Sequence, residues 1–168
     1  MTKQILSSMG PTIYFDTCLV GAVVKGDHPA QMPALVALMR EHEAGRLSIA
    51  ASTEVLGEIE KVPPQYRDPH LDVLRQLKQL LGANVRWIDE TTTSSVQSTD
   101  EDYEKVRHIL PGETDRRHVV HAIKNHVAYF ATVDTATILK HRLTLEATFL
   151  LTFATPADIV AELKLPTT

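Results

Sequence analysis

The feature that most limits what this chain can fold into is an alternation that runs along its whole length. Short, β-prone apolar runs are separated by stretches of helical periodicity. Thr12-Ile13-Tyr14-Phe15, Leu47-Ser48-Ile49-Ala50, Asn84-Val85-Arg86-Trp87-Ile88, Tyr129-Phe130-Ala131-Thr132 and Phe149-Leu150-Leu151-Thr152-Phe153 read as strands. Most of these runs are apolar residue after residue instead of alternating with polar ones, the pattern of strands covered on both faces. Strands of that kind, interleaved with helices, predict an α/β fold with a parallel sheet between helical layers.

The helical stretches carry their own punctuation. Asp27-His28-Pro29 reads as a helix start, with Asp27 as cap and Pro29 in the first turn, followed by Leu35, Leu38 and Met39 at helical spacing and closed by Gly45. Ser52 is placed to cap a helix bearing Val55, Leu56 and Ile59, which Pro63-Pro64 closes. Leu71, Leu74, Leu77, Leu80 and Leu81 form the clearest amphipathic pattern. Residues 91–99 are rich in Ser and Thr and read as a loop. Residues 102–110 read as a helix broken by Pro111-Gly112, residues 114–125 as another, and Pro156 opens a last helix through Leu163.

A chain of 168 residues has the length of one domain with a core of its own, so residues 1–168 are read as a single domain with a loose lead-in over 1–11. The single cysteine, Cys18, excludes an internal disulfide. The first ten residues lack the apolar stretch of a signal peptide and no run is long enough to span a bilayer, so no membrane and a cytoplasmic location are expected. A formal net charge of −4 weighs mildly against a nucleic-acid partner. The same sum would arise from carboxylates gathered to hold a divalent cation, whose charge reverses the local balance.

Four acids suit that second reading. In open parallel sheets, ligands bind at the carboxyl ends of the strands. Asp16 ends the first strand, Asp134 lies just past the fourth, Asp115 begins the helix leading into that strand, and Glu58 sits about one and a half turns into the helix after the second strand. Converging carboxylates repel one another unless protonated or bridged by a cation. Oxygen-only ligands favour hard ions such as Mg²⁺ or Mn²⁺, which activate water and screen charge on a phosphodiester. Taken singly, each acid is equally at home as a helix cap or dipole partner.

The motifs around these acids resemble those of the PIN-domain family. Ile13-Tyr14-Phe15-Asp16-Thr17 resembles its opening strand and first aspartate. Ser52-Thr53-Glu54-Val55-Leu56-Gly57-Glu58 resembles its second motif and selects Glu58 over Glu54. Asp115-Arg116-Arg117-His118-Val119-Val120-His121-Ala122 resembles its third, Phe130-Ala131-Thr132-Val133-Asp134 its fourth, and residues 149–156 its closing strand with the proline-led helix. The resemblance implies a three-layer α/β/α sandwich with a central, mostly parallel sheet. It also implies Mg²⁺- or Mn²⁺-dependent hydrolysis of RNA, with Asp16, Asp115 and Asp134 holding the metal, Glu58 assisting, and products ending in 5′-phosphate and 3′-hydroxyl. VapC-like members further imply a homodimer and a toxin neutralised by an antitoxin protein. Cys18 departs from the family, standing where a polar residue such as Asn is frequent, which would weaken a hydrogen bond near the first aspartate.

Thr17 and Thr132 are candidates for orienting the carboxylates, and Arg116, Arg117 and Lys124 for gripping substrate phosphates, with Lys140, His141 and Arg142 near Asp134. Asp115, His118 and His121 fall at helical spacing, but no closed zinc set accompanies them. A haloacid-dehalogenase-like phosphatase needs an aspartate where Cys18 stands, and Thr17-Cys18-Leu19-Val20-Gly21 is not a dinucleotide-binding loop. The competing reading from another class is a catalytically inactive PIN-like module that binds RNA or protein.

Overall fold

The computed structural model describes residues 10–81, 86–88 and 101–167. Its centre is β1 (Thr12–Phe15), where Ile13 and Tyr14 are wholly buried. Side chains alternate along a strand, so Ile13 and Phe15 enter one core layer and Tyr14 the other. β2 (Ser48–Ser52) and β4 (Tyr129–Ala131) flank β1, with β3 (Arg86–Ile88) and β5 (Thr152–Ala154) at the edges. All four neighbouring pairs are parallel, and Tyr14 is level with both Ala50 and Phe130. Among the described residues the sheet therefore has five parallel strands in the order β3-β2-β1-β4-β5. The chain winds outward from β1 in one direction and then returns to the other side through β4. That reversal leaves a crevice at the carboxyl ends of β1 and β4.

One face of the sheet is covered by α1 (Thr17–Lys25), α2 (Met32–Glu43) and α8 (Pro156–Glu162), through Leu19, Leu35, Leu38 and Ile159. On the other face, α5 (Glu101–Arg107), α6 (Glu113–Lys124) and α7 (Arg142–Thr148) contribute Val106, Val119, Val120 and Leu145. There Tyr14 stacks on Phe130 at 5.0 Å between centroids, and Phe130 lies 5.3 Å from Phe153. A smaller cluster of Val20, Val55, Ile59 and Leu74 joins α1 to α3 (Glu54–Lys61) and α4 (Pro64–Leu81). The layers are those of an α/β/α sandwich, and no described helix is long and apolar enough to cross a membrane.

Several local expectations are corrected. Asp27 does not cap α2: a 3₁₀ turn over Pro29–Gln31 intervenes, and its N-cap residue, His28, makes no side-chain capping bond. Ser52 belongs to β2, and α3 starts after Thr53, which makes no side-chain capping bond either. Pro63-Pro64 does follow the end of α3 at Lys61, and Pro64 in addition opens α4, where its missing N–H costs nothing. Residues 149–151 are not strand; β5 begins at Thr152, and Leu150 is fully exposed. Helices α1 and α7 had no forecast from pattern. Gly45 does close the α2 region, in the left-handed conformation at φ 71°. The predicted loop at 91–99, residues 84 and 85 of the third predicted strand, and the side chains of Leu77, Leu80 and Leu81 lie outside the described residues.

Candidate active site

Strand ends and helix starts bring the acids together. Asp16 is the last residue before α1 and serves as its N-cap, accepting a hydrogen bond from the Thr17 amide at 2.8 Å. Its own amide donates to the Ala131 carbonyl of β4, which ties this corner to the neighbouring strand. The other carboxylate oxygen accepts from Thr132 Oγ1 at 2.8 Å and from the Cys18 thiol at 3.1 Å. Burial lifts the Asp16 carboxyl above the ordinary aspartate range, although His118, Cys18 and Thr132 oppose the shift. Cys18 thus keeps a donor on Asp16, but a thiol is a weak one. Burial also raises this thiol, so it stays protonated.

Asp134 follows β4 and closes a turn. Its Oδ1 accepts from the amides of Ala136 and Thr137, each at 2.9 Å, while its other oxygen accepts from the Thr137 hydroxyl. The Asp134 amide donates to Thr132 Oγ1 at 3.1 Å, so Thr132 touches the supports of both aspartates. Asp115 stands in the first turn of α6, where the helix dipole favours an anion. Its carboxyl is raised above the ordinary range, first by burial and then by the charges of Asp16 and Asp134. Asp115 therefore feels the charges of the other two aspartates. A Cβ on Gly112 would lie 2.8 Å from Asp115 Oδ2, so this carboxylate occupies space that only glycine leaves open.

Glu58 reaches the same cleft from α3 but is held differently. It accepts from the Thr17 hydroxyl and from His118 Nε2, the latter at 2.8 Å. Burial alone would raise its carboxyl; His118 and Thr17 overcome that and bring it below the ordinary glutamate range. The other ring nitrogen, His118 Nδ1, lies 2.6 Å from the Tyr14 hydroxyl, which donates to Ser52 Oγ at 2.8 Å. Burial would lower the His118 pKa, but the Glu58 hydrogen bond and the charges of Asp16, Glu58 and Glu54 raise it.

Asp16, Thr17, Glu58, His70, Asp115 and Asp134 line one cleft of about 360 Å³. Thr137, Tyr14 and His70 were not singled out from the sequence, and Ser52 was read only as a helix cap. Tyr14 and Ser52 had a legible signal, since a hydroxyl on a strand buried on both faces must find a partner. Of the proposed phosphate contacts, Arg116 is spent on the carbonyls of Leu110 and Pro111, at 2.7 and 2.6 Å, where it closes the turn before α6. Arg117 pairs with Glu113 at 2.9 Å and Glu54 at 3.4 Å. Lys124 is in the last turn of α6, about 13 Å along the axis from Asp115. None of the three lines the cleft.

The donor chemistry of the cleft fits a hard divalent cation: carboxylate oxygens converge, and two aspartates raise the pKa of a third. As they stand, the carboxylates turn toward protein donors, and among the described residues no group of three or more His, Cys, Asp or Glu side chains is arranged to hold a metal.

No protein-family model matches the chain, and no curated protein matches it. Among solved structures it is similar to a chain of VapBC2 from Rickettsia felis, crystallised with a DNA fragment from their promoter. Identity is 16%, coverage is 86% of this chain and 98% of that one, and the TM-score is 0.54. The fold is PIN-like. A domain of a functionally unknown protein from Methanocaldococcus jannaschii DSM 2661 is also similar, at 15% identity, 86% and 91% coverage and a TM-score of 0.48. At 16% identity the likeness to the VapBC2 chain concerns the fold alone.

Proposed function

We propose that this protein is a metal-dependent endoribonuclease. The observation that carries the reading is the meeting of Asp16, Asp115 and Asp134 at the carboxyl ends of β1 and β4, close enough that two of these charges raise the pKa of the third. An acidic cluster that costs folding energy is retained where a cation or a reaction uses it. Asp16, Asp115 and Asp134 are the residues that would hold Mg²⁺ or Mn²⁺. When bound, the cation supplies Lewis-acid screening of the charge that develops on a phosphodiester attacked by water.

The chain's own residues do the remaining work. The Thr17 amide, Thr132 and Cys18 fix the orientation of Asp16. Thr137 and its turn hold Asp134. Glu58, locked by His118 and Thr17, keeps a negative charge on the cleft wall without needing a proton. RNA as substrate, and 5′-phosphate with 3′-hydroxyl products, follow from the motif resemblance.

A toxin paired with an antitoxin protein is the biological setting this reading favours, supported by the similarity in fold to a chain of the VapBC2 assembly. Homodimerisation and a cytoplasmic location belong to the same reading. Leu143 and Leu150, exposed on and just after α7, offer apolar surface to a partner.

The deciding experiment is cleavage of labelled single-stranded and hairpin RNAs with Mn²⁺ or Mg²⁺, with a chelator and Asp16→Asn as controls. Cleavage lost in both controls supports the reading. Absence of both cleavage and Mn²⁺ binding would replace it with the inactive binding module.

A further inference from the structure

The cleft that the aspartates line also holds a histidine with no part in the proposed hydrolysis. His70 lies on α4, one residue after Pro69. Pro69 has no N–H to give the Gln65 carbonyl, so the helix is loosened at this turn. His70 is 8% exposed, and its Nδ1 lies 2.8 Å from the Tyr66 carbonyl. A carbonyl only accepts, so Nδ1 carries the proton. In the neutral ring this leaves Nε2 as an acceptor.

That nitrogen has no hydrogen-bond partner among the described residues. His70 lines the cleft beside Asp16, Glu58 and Asp115, and so does Gly21, the residue next to Nε2. A Cβ placed on Gly21 of α1 would lie 3.9 Å from Nε2, so the helix beneath the ring presents no side chain to cover it. As an acceptor, Nε2 is badly suited to a phosphate oxygen, which is itself an acceptor. It is well suited to a hydroxyl. Along a nucleic-acid strand, the hydroxyl repeated at every residue of RNA and missing from DNA is the ribose 2′-OH.

We propose that His70 is a specificity-determining residue, whose Nε2 accepts a hydrogen bond from a ribose 2′-hydroxyl of the strand in the cleft and so favours RNA over DNA. The inference rests on the nuclease reading for the presence of a nucleic acid there, but it is tested apart from cleavage. The ring is held by one bond on Nδ1 and acts through the other nitrogen, so replacements that keep or remove an acceptor separate its role from packing.

The test compares binding of a short labelled oligoribonucleotide of mixed sequence with its deoxy counterpart, in Ca²⁺, for the parent, His70→Phe and His70→Gln, with thermal melting as a check on folding. Cleavage of both strands in Mn²⁺ is measured in parallel. One net hydrogen bond corresponds to a preference of up to about tenfold. The parent should prefer the ribose strand, His70→Phe should lose that preference with DNA binding unchanged, and His70→Gln, which retains an acceptor, should keep part of it. A parent without ribose preference, or a His70→Phe variant that folds and keeps the full preference, overturns the proposal even if RNA is cleaved. Ribose preference lost in His70→Phe without any cleavage by the parent upholds the proposal and removes the nuclease reading instead.

Discussion

His118 Nε2 stands 2.8 Å from Glu58 Oε2, joining the third helix to the sixth behind the wall of the cleft. The other ring nitrogen, Nδ1, lies 2.6 Å from the Tyr14 hydroxyl, which is itself 2.8 Å from Ser52 Oγ. Nε2 donates to the carboxylate, and the raised His118 pKa favours the imidazolium in that contact. His118→Ala in metal-free protein should cost about 2 kcal/mol, since it leaves Glu58 without its counter-charge. A double-mutant cycle with Glu58→Gln should show the two losses to be strongly non-additive. Additive losses in denaturant melts would mean that the pair is not coupled.

The same pair sets a pH window. The His118 pKa is raised above its ordinary 6.5, so its contribution is full below that value and is lost as pH rises through the higher folded pKa. The Glu58 pKa is lowered from 4.5, so its contribution is full above that value and is lost as pH falls through the lower folded pKa. The stability difference between the parent and His118→Ala should therefore be greatest between about pH 4.5 and 6.5 and shrink on either side. A difference that grows steadily up to pH 9 would contradict the assignment.

Asp115 has a raised carboxyl pKa because it is partly buried near two other aspartates. Its ionised form therefore opposes folding at neutral pH. Asp115→Asn should melt slightly higher than the parent when metal is stripped, solvent at the half-exposed carboxylate keeping the gain small. Mn²⁺ should raise the melting temperature of the parent and have little effect on the variant. Equal metal stabilisation of both proteins would exclude Asp115 as a ligand.

Gly112 offers a test that leaves every acid in place. Its φ of −82° suits any residue, so Gly112→Ala brings no backbone strain. The added methyl would stand 2.8 Å from Asp115 Oδ2 and must displace that carboxylate. Mn²⁺ affinity and cleavage should fall tenfold or more, an effect of about 1.4 kcal/mol or greater, while the melting temperature stays within a few degrees. Unchanged metal affinity would show that the position of Asp115 is unimportant.

The sequence was most legible where local chemistry and fold agree. The apolar runs around Ile13 and Phe130 announce strands buried on both faces, and Asp16 and Asp134 sit where such strands deliver their ends to a crevice. Ser52 misled because a serine before a helix is a good cap in isolation, whereas here it serves a tyrosine 38 residues away. Thr137 was invisible because its role depends on a turn that Asp134 itself creates. Arg116 and Arg117 had the right charge and neighbourhood, yet carbonyls and carboxylates close to them in the fold claim both. His70 gave no periodic signal, since what distinguishes it is a loosened helical turn and a bare glycine on another helix.

The placement of β1 beside β4 has a consequence for the order of events when the chain is made. Thr132 bonds Asp16 across 116 residues of sequence, and the Asp16 amide is tied to the neighbouring strand through the Ala131 carbonyl. Everything up to the sixth helix can leave the ribosome while Asp16 still lacks the strand that fixes it. Contacts of such long range form late in folding. The cleft is therefore completed only once the fourth strand has joined the first, and a chain truncated before that strand holds its first aspartate at an unfinished edge.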